Sequence, residues 1–245
     1  MKKVIVIQAH FGKGFMTRES SDTKTSIFTK QILKKCQKSV REWCKEQQYE
    51  YRLVTEKPDI SIDLSYPLAD QFQYSYYQYQ CFPKEGYDNI IFLDNDIWII
   101  DPKSTIPLVD WACSTTHDAE RNAFLQFRID PLAKFWNGSI LVMNQDRANH
   151  LGAWMVSGLE DKIEVPTWDK ELRKERAPYN SHEMLLSWYC WHEAVPQHLP
   201  AEWHCRPKRF VEWERAKMLH FDGSNKPKQL LRLPISLKEQ FENII

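Results

Sequence analysis

A short apolar run that ends in two carboxylates constrains this chain more than any other stretch. Ile90–Leu93 is continuously apolar, as is typical of a strand buried on both faces, and a second apolar run follows at Ile97–Ile100. Asp94-Asn95-Asp96 stands between them. A buried carboxylate needs a cationic partner or a proton, and a divalent cation such as Mg²⁺ or Mn²⁺ favours carboxylate oxygens. The other interpretation is an ordinary Asp-Asn-Asp turn between two strands.

Charge and cysteine content limit the classes of protein to be considered. The 245 residues include 33 Lys plus Arg and 33 Asp plus Glu, so no overall basic field favours a nucleic-acid partner. The six cysteines form no C-x-x-C pair, which favours reduced thiols and an intracellular protein. The apolar run Val4–Ile7 is too short for a signal peptide or a membrane span. We therefore expect a cytoplasmic protein with no transmembrane segment and no nucleic-acid partner.

Strand patterns alternate with helix patterns along the chain, which indicates an α/β fold of one large domain or two small ones. Predicted strands, besides the two apolar runs above, are Lys3–Ala9, Tyr49–Thr55, Val109–Thr116, Gly138–Met143, Ala194–Pro200 and Lys217–Phe221. Predicted helices are Thr25–Gln47, Leu68–Phe82, Asp146–Leu159, Ser181–Trp191 and Ser236–Ile245. The segment His10–Asp22 follows the first strand, at a position where open α/β sheets bind ligands.

Three polar motifs occur in a characteristic order: Asp94-Asn95-Asp96, then Asn137-Gly138-Ser139, then an H-x-x-G-x-x-K-P pattern from His220 to Pro227. This order resembles retaining glycosyltransferases of the GT-A fold, especially family 8, the glycogenin and bacterial galactosyltransferase type. The N-terminal part, through Trp43 and the strand after it, is similar to family 32, the capsule and mannosyl type. The resemblance extends to about Pro227.

The resemblance implies a single GT-A domain over residues 1–245, with a mostly parallel, Rossmann-like central sheet flanked by helices. Residues 1–116 would form the nucleotide-binding half, and residues 117–245 the acceptor and sugar half with a closing C-terminal segment. It also implies roles for individual residues. The metal ligands would be Asp94, Asp96 and His220, with Mn²⁺ or Mg²⁺ as the ion. The nucleotide diphosphate would lie against Ala9, His10, Gly223 and Lys226, and the sugar and reaction centre against Asn137, His182 and Glu183.

Each of these residues also has an ordinary structural interpretation. His220 could be a hydrogen-bonded core histidine, Lys226 a solvated loop lysine and Gly223 a turn residue. Asn137 could form a turn entering a strand. His182 and Glu183 could belong to the first turn of a helix, where an acidic residue is favourable anyway.

Several positions depart from the family pattern. Many family 8 members carry an Asp at the end of the first strand that contacts uracil, where this chain has Gln8-Ala9-His10. Leu68–Phe82 lacks the basic residue usual in the helix before the D-x-D motif, and the final Trp of the C-terminal pattern is Lys228. The segment ending in Trp203-His204 is similar to a family segment that ends in Trp-Asn. These departures bear on the identity of the nucleotide more than on the fold.

The leading functional hypothesis is a metal-dependent transferase. It would move a sugar from a nucleotide-diphosphate sugar, UDP-hexose by resemblance, to a hydroxyl of a glycan, a lipid-linked sugar or a protein, with retained anomeric configuration. A second hypothesis is a metal-dependent phosphoesterase. Two-metal hydrolases need several converging ligands, and the candidates in this sequence are His10, Asp94, Asp96, His117, Asp118 and His220. A third is a non-catalytic carbohydrate-binding protein that stacks sugars on its aromatic side chains. The sugar, the acceptor and the oligomeric state stay open.

Overall fold

A computed structural model describes residues 2–10, 23–56, 77–115, 136–156, 181–207, 212–221 and 226–244. The strands are β1 (Val4–Ala9), β2 (Glu50–Val54), β3 (Asn89–Leu93), β4 (Ile97–Ile99), β5 (Trp111–Thr115), β6 (Trp136–Asn144), β7 (Gln197–His198) and β8 (Met218–His220). The helices are α1 (Thr23–Gln47), α2 (Gln145–Val156), α3 (Ser181–His192), α4 (Lys226–Leu230) and α5 (Ile235–Glu242).

Six of these strands form the central sheet, in the order β2-β1-β3-β6-β5-β7. β1 runs parallel to both β2 and β3, and β5 runs parallel to β7. β6 is antiparallel to both of its neighbours, β3 and β5. Five of the six strands described in this sheet therefore share one direction, and the prediction of a mostly parallel sheet flanked by helices is confirmed.

The central strand β3 is buried along its whole length. Ile91 and Leu93 pack with Val40 and Trp43 of α1 on one side of the sheet. Ile90 and Phe92 belong to the cluster on the other side, which includes residues of α2 and α3. Because helices cover both faces, this strand reads in sequence as a continuous apolar run rather than an alternating one.

A second, two-stranded sheet joins two distant parts of the chain. β4 pairs antiparallel with β8, so that Ile97 lies opposite His220 and Trp98 opposite Leu219. Trp98 packs edge-on against Phe241 of α5, with ring centroids 5.0 Å apart. The C-terminal helix thus supports the small sheet that carries His220.

Most predicted elements are present, within a few residues of the expected bounds. The predicted helix Leu68–Phe82 is described only from residue 77, and residues 77–80 are helical. The predicted strand Ala194–Pro200 is reduced to Gln197–His198. All six cysteines are free thiols. None of the described helices has the length and apolarity needed to span a bilayer. The division at residue 116 stays a prediction.

Candidate functional site

Two of the three sequence motifs meet at one edge of the central sheet. β3 ends there, and its antiparallel neighbour β6 begins there, with Leu93 paired to Ile140. The backbone N–H of Asp94 donates a hydrogen bond of 2.8 Å to the carbonyl of Ser139. The strand register therefore places Asp94-Asn95-Asp96 directly beside Asn137-Gly138-Ser139.

The small sheet brings the third motif to the same place. Phe221 N–H donates to the carbonyl of Asp96 at 3.1 Å, next to the β4–β8 pairing. His220 Nε2 lies 3.2 Å from Asp96 Oδ1 and 3.9 Å from Asp94 Oδ2. One ligand atom from each of these residues lies within 4.8 Å of the other two. The three side chains predicted as metal ligands are thus brought together from two distant parts of the sequence.

The chemistry of these donors fits a hard or borderline divalent cation. Two carboxylates and one imidazole nitrogen suit Mn²⁺, and carboxylates also suit Mg²⁺. The side chain of His220 is 7% exposed, whereas that of Asp94 is 27% exposed. The site is therefore open towards solvent on the carboxylate side, where oxygens of a ligand could complete the coordination of an ion.

The loop Asp94-Asn95-Asp96 is hydrogen-bonded to the end of β1. Gln8 is fully buried, and its Nε2 donates to the carbonyl of Asp94 at 2.9 Å, while its Oε1 accepts from Tyr51 Oη at 2.9 Å. Asn95 Nδ2 donates to the carbonyl of Ala9. The amide of Gln8 is therefore engaged in holding the loop.

The two carboxyl groups of the motif have opposite electrostatic environments. Burial, and then the nearby charge of Asp96, raise the pKa of Asp94 from 3.8 to about 6. Burial also opposes ionisation of Asp96, but the Lys226 ammonium and His220 outweigh it and hold the pKa of Asp96 well below its usual value. Asp96 therefore carries the negative charge, while Asp94 can take up a proton in mildly acidic solution.

Lys226 is buried, so it is not the solvated loop lysine of the structural interpretation. Its Nζ donates to the carbonyl of Phe221 at 2.6 Å and forms an ion pair with Asp96 Oδ2. The resemblance implies that Lys226 lies against the nucleotide diphosphate. The structure places its charge against the carboxylate of Asp96, one of the predicted metal ligands, and contact with phosphate stays a prediction.

Asn137 is buried near the beginning of β6, in the stretch that lies beside Asp94. Its Oδ1 accepts a hydrogen bond of 2.9 Å from the backbone N–H of Ser139. The side chain of Ser139 in turn bonds to Asp94, which lowers the pKa of that carboxyl and partly offsets the effect of burial. Asn137 thus lies within the strand rather than in a turn that enters it, and its contact with a sugar stays a prediction.

The structure adds a residue that sequence reasoning missed, His204. Its Nε2 lies 3.0 Å from His220 Nδ1, and the two rings stack with centroids 5.1 Å apart. Burial lowers the pKa of His204 well below its usual value, and the neighbouring His220 and Arg206 act in the same direction. The only sequence signal was its place in a family-like segment interpreted as structural.

The remaining predicted site residues are only partly described. His10 is joined to β2 through a hydrogen bond of 2.7 Å from its N–H to the carbonyl of Val54, and burial lowers the pKa of its ring. His182 and Glu183 lie in the first turn of α3, and their side chains are outside the described structure. Ser187 of the same helix accepts a hydrogen bond from the backbone N–H of Trp136, next to Asn137. Gly223, His117 and Asp118 lie outside the described residues.

Comparison with known proteins supports the fold. No protein-family model and no curated protein sequence matches the chain. Among solved structures, a glycosyltransferase involved in glycosylation of the major capsid of PBCV-1 is 14% identical with a TM-score of 0.50, covering 98% of both chains. An active-site mutant of LgtC is 9% identical with a TM-score of 0.50, covering 98% of this chain and 94% of its own. With its sheet order and the site at the sheet edge, the chain has the GT-A fold of glycosyltransferases.

Proposed function

We propose that this protein is a metal-dependent glycosyltransferase that moves a sugar from a nucleotide-diphosphate sugar to a hydroxyl acceptor. One observation carries the proposal: Asp94, Asp96 and His220 converge at the sheet edge of a GT-A fold. Two of the three come from the loop after the central strand, and the third from a strand near the C-terminus. An ordinary Asp-Asn-Asp turn would not require a buried imidazole 3.2 Å from one of its carboxylates.

Different residues of the site would bind the ion, add positive charge beside it and hold the loop in place. Asp94, Asp96 and His220 would hold Mn²⁺ or Mg²⁺, which when bound stabilises negative charge on a departing diphosphate. Lys226 adds a buried positive charge beside Asp96, in ion-pair contact with it. Gln8 and Asn95 hold the loop so that the carboxylates keep their relative positions without a ligand. Such preorganisation lowers the cost of assembling the site when the donor binds.

The finer parts of the proposal come from the family resemblance. The donor would be a UDP-hexose, with Ala9, His10 and Gly223 against the nucleotide. The sugar and the reaction centre would face Asn137, His182 and Glu183. Transfer with retention would then follow a front-face course. The bond between the anomeric carbon and the phosphate oxygen would break while the acceptor hydroxyl oxygen bonds to the anomeric carbon on the same face, and the departing phosphate would take the proton of that hydroxyl. The acceptor would be a glycan, a lipid-linked sugar or a protein side chain.

The direct test is calorimetric titration of UDP into the protein with and without Mn²⁺. We expect binding that requires Mn²⁺, and an Asp96→Asn variant that has lost it. Asp101→Asn is the matched control, because Asp101 forms a more exposed ion pair with Lys217. If no nucleoside diphosphate binds in a metal-dependent way, the proposal is rejected. If binding does require Mn²⁺, a thermal-shift screen of nucleotide sugars with Mn²⁺ would identify the donor.

The two alternatives make different predictions. A two-metal phosphoesterase needs more ligands than the three that the described part of the chain brings together. Hydrolysis of p-nitrophenyl phosphate without any sugar acceptor would favour it. A carbohydrate-binding protein would keep its affinity for glycans after Asp94 and Asp96 are both replaced by Asn. In that case UDP would show no Mn²⁺-dependent binding.

A further inference from the structure

The two rings of His204 and His220 share one hydrogen bond. The contact joins Nε2 of His204 to Nδ1 of His220, 3.0 Å apart. The other nitrogen of His220, Nε2, faces the carboxylates of Asp94 and Asp96. Both ring nitrogens of His220 therefore have a neighbour: Nε2 faces the candidate metal position, and Nδ1 faces His204.

A hydrogen bond between two ring nitrogens needs one proton, so one ring donates and the other accepts. A neutral imidazole that binds a cation through Nε2 carries its proton on Nδ1. When His220 acts as a ligand, its Nδ1–H must therefore donate, and Nε2 of His204 must accept. If instead His204 were the donor, the proton of a neutral His220 would lie on Nε2. It would then point at the carboxylates, and no cation could bind there.

The backbone fixes His204 in this position. Its own N–H donates to the carbonyl of Ala201 at 3.1 Å, which closes the 3₁₀ turn Ala201–Trp203. The backbone of the next residue, Cys205, forms an isolated parallel β-bridge with Leu219 of β8. Cys205 N–H donates to Met218, and the carbonyl of Cys205 accepts from the N–H of His220 at 2.8 Å. The segment that carries His204 is therefore paired directly to the strand that carries His220.

We propose that His204 is a positioning residue of the metal site: when a divalent cation takes the place of the proton between His220 Nε2 and Asp96 Oδ1, Nε2 of His204 accepts the Nδ1–H of His220 and holds the ring in the tautomer that can bind the cation. This inference rests on the proposed function, because it assumes that His220 is a ligand. Partners of this kind orient ligand histidines in metal sites, and their loss weakens metal affinity. His204 itself touches neither the ion nor the donor.

The test compares two substitutions of His204 that differ in one property. His204→Leu removes the acceptor, whereas His204→Gln keeps an amide oxygen that can accept the same hydrogen bond. The probe is Mn²⁺ alone, with free Mn²⁺ measured by electron paramagnetic resonance. We expect His204→Leu to weaken binding about 10- to 100-fold and His204→Gln to stay within about threefold of the unmodified protein. His150→Leu is the control, since His150 Nδ1 is hydrogen-bonded to Tyr189 on α3 instead.

A second measurement reports the tautomer itself and needs no variant. Two-bond ¹H–¹⁵N correlation of the His220 ring, with Zn²⁺ as a diamagnetic probe, should show the proton on Nδ1. A proton on Nε2 in the Zn²⁺-loaded protein would overturn the inference, even if His204→Leu does not fold. Equal Mn²⁺ affinity of a folded His204→Leu variant and the unmodified protein would overturn it too. If the unmodified protein itself fails to bind Mn²⁺, the proposed function falls, which is a separate outcome.

Discussion

Lys226 contacts one carboxylate oxygen of Asp96, Oδ2, while the other, Oδ1, lies 3.2 Å from Nε2 of His220. The ion pair is mostly buried, with side-chain exposures of 8% for Lys226 and 15% for Asp96. Oδ1 is the oxygen on the side of the imidazole, where Asp94 also lies. The carboxylate can therefore bind a cation through Oδ1 while Lys226 keeps its contact with Oδ2.

Replacing Lys226 with Met should destabilise the metal-free protein. Breaking a buried ion pair leaves an uncompensated charge, so we expect the free energy of unfolding to fall by roughly 3–5 kcal/mol. Urea denaturation measures it. The control is Lys217→Met, because the Lys217–Asp101 pair is 34% and 40% exposed and an exposed pair contributes less than about 1 kcal/mol. Saturating Mn²⁺ should recover more stability in Lys226→Met than in the control. Equal losses in the two variants would contradict the role of the buried pair.

Metal affinity should depend on pH through Asp94. Below about pH 6, Asp94 is protonated in the metal-free protein because burial and Asp96 raise its pKa. A bound cation must then displace that proton, so we expect Mn²⁺ affinity to fall about tenfold per pH unit for this one proton. Titrations of Mn²⁺ between pH 5 and pH 8, about a unit or more on either side of the midpoint, would measure it. An affinity independent of pH in this interval would contradict the assignment of Asp94 as a ligand.

The raised pKa of Asp94 gives the stability of the metal-free protein a pH dependence opposite to that of metal affinity. Folded Asp94 holds its proton more tightly than the unfolded chain does, because its pKa is raised above 3.8. Its contribution to stability is therefore fully present below pH 3.8 and is lost as the pH rises through about 6. Asp96 contributes in the reverse direction, since its pKa is lowered: its stabilisation is present above 3.8 and is lost only in strong acid.

Ser139→Ala should raise the pKa of Asp94 further. The side chain of Ser139 is hydrogen-bonded to that carboxyl and lowers its pKa, so its loss removes a group that favours the charged form. We expect the midpoint of the pH dependence of Mn²⁺ binding to move to higher pH, with a loss of about 1 kcal/mol in stability. Ser104→Ala is the matched control, because Ser104 bonds to Asp101 instead. A midpoint that moves equally in both variants would show a general effect of the substitution.

The convergence of the three motifs was predicted from the resemblance of their order to family 8 glycosyltransferases, whereas the residues themselves indicated only where the first motif lies. An apolar run that ends in Asp94 predicts a buried strand, and the carboxyl ends of parallel strands in an α/β sheet face a common ligand site. The direction of β6 was harder to predict, since a fully buried strand looks the same in either orientation. Only the pairing of Leu93 with Ile140 shows that Asn137 lies at the beginning of β6 and still reaches the same edge.

Side-chain partners across long sequence separations could not be predicted in the same way. The H-x-x-G-x-x-K-P pattern indicated a functional lysine, Lys226. The ion pair of Lys226 with Asp96 depends on the position of α4 in the fold, which the pattern does not give. His204 reaches His220 only because Cys205 is bridged to Leu219, and no local pattern indicates that register. Gln8-Ala9-His10 was identified as a departure from the family 8 pattern, but the two hydrogen bonds of Gln8, to the carbonyl of Asp94 and to Tyr51 Oη, depend on the tertiary fold and have no local sequence signal.

Phe241→Ala should weaken metal binding from a distance. Phe241 is buried between Trp98 of β4 and Phe221, which follows β8, with ring centroids 5.0 and 5.4 Å away. Truncating such a ring costs about 3–5 kcal/mol. The two-stranded sheet that holds His220 beside Asp96 would lose its packing partner, so Mn²⁺ affinity should fall together with the free energy of unfolding.

Urea denaturation and Mn²⁺ titration of the same preparation separate the two effects of Phe241→Ala. Ile235→Ala is the control, since Ile235 lies in the same helix but is 73% exposed, and exposed substitutions usually change stability by less than about 0.5 kcal/mol. If stability falls in Phe241→Ala while Mn²⁺ affinity is retained, β4 and β8 hold His220 without α5. In that case the backbone hydrogen bonds of Cys205 to Met218 and His220 would be the main support of the histidine ligand.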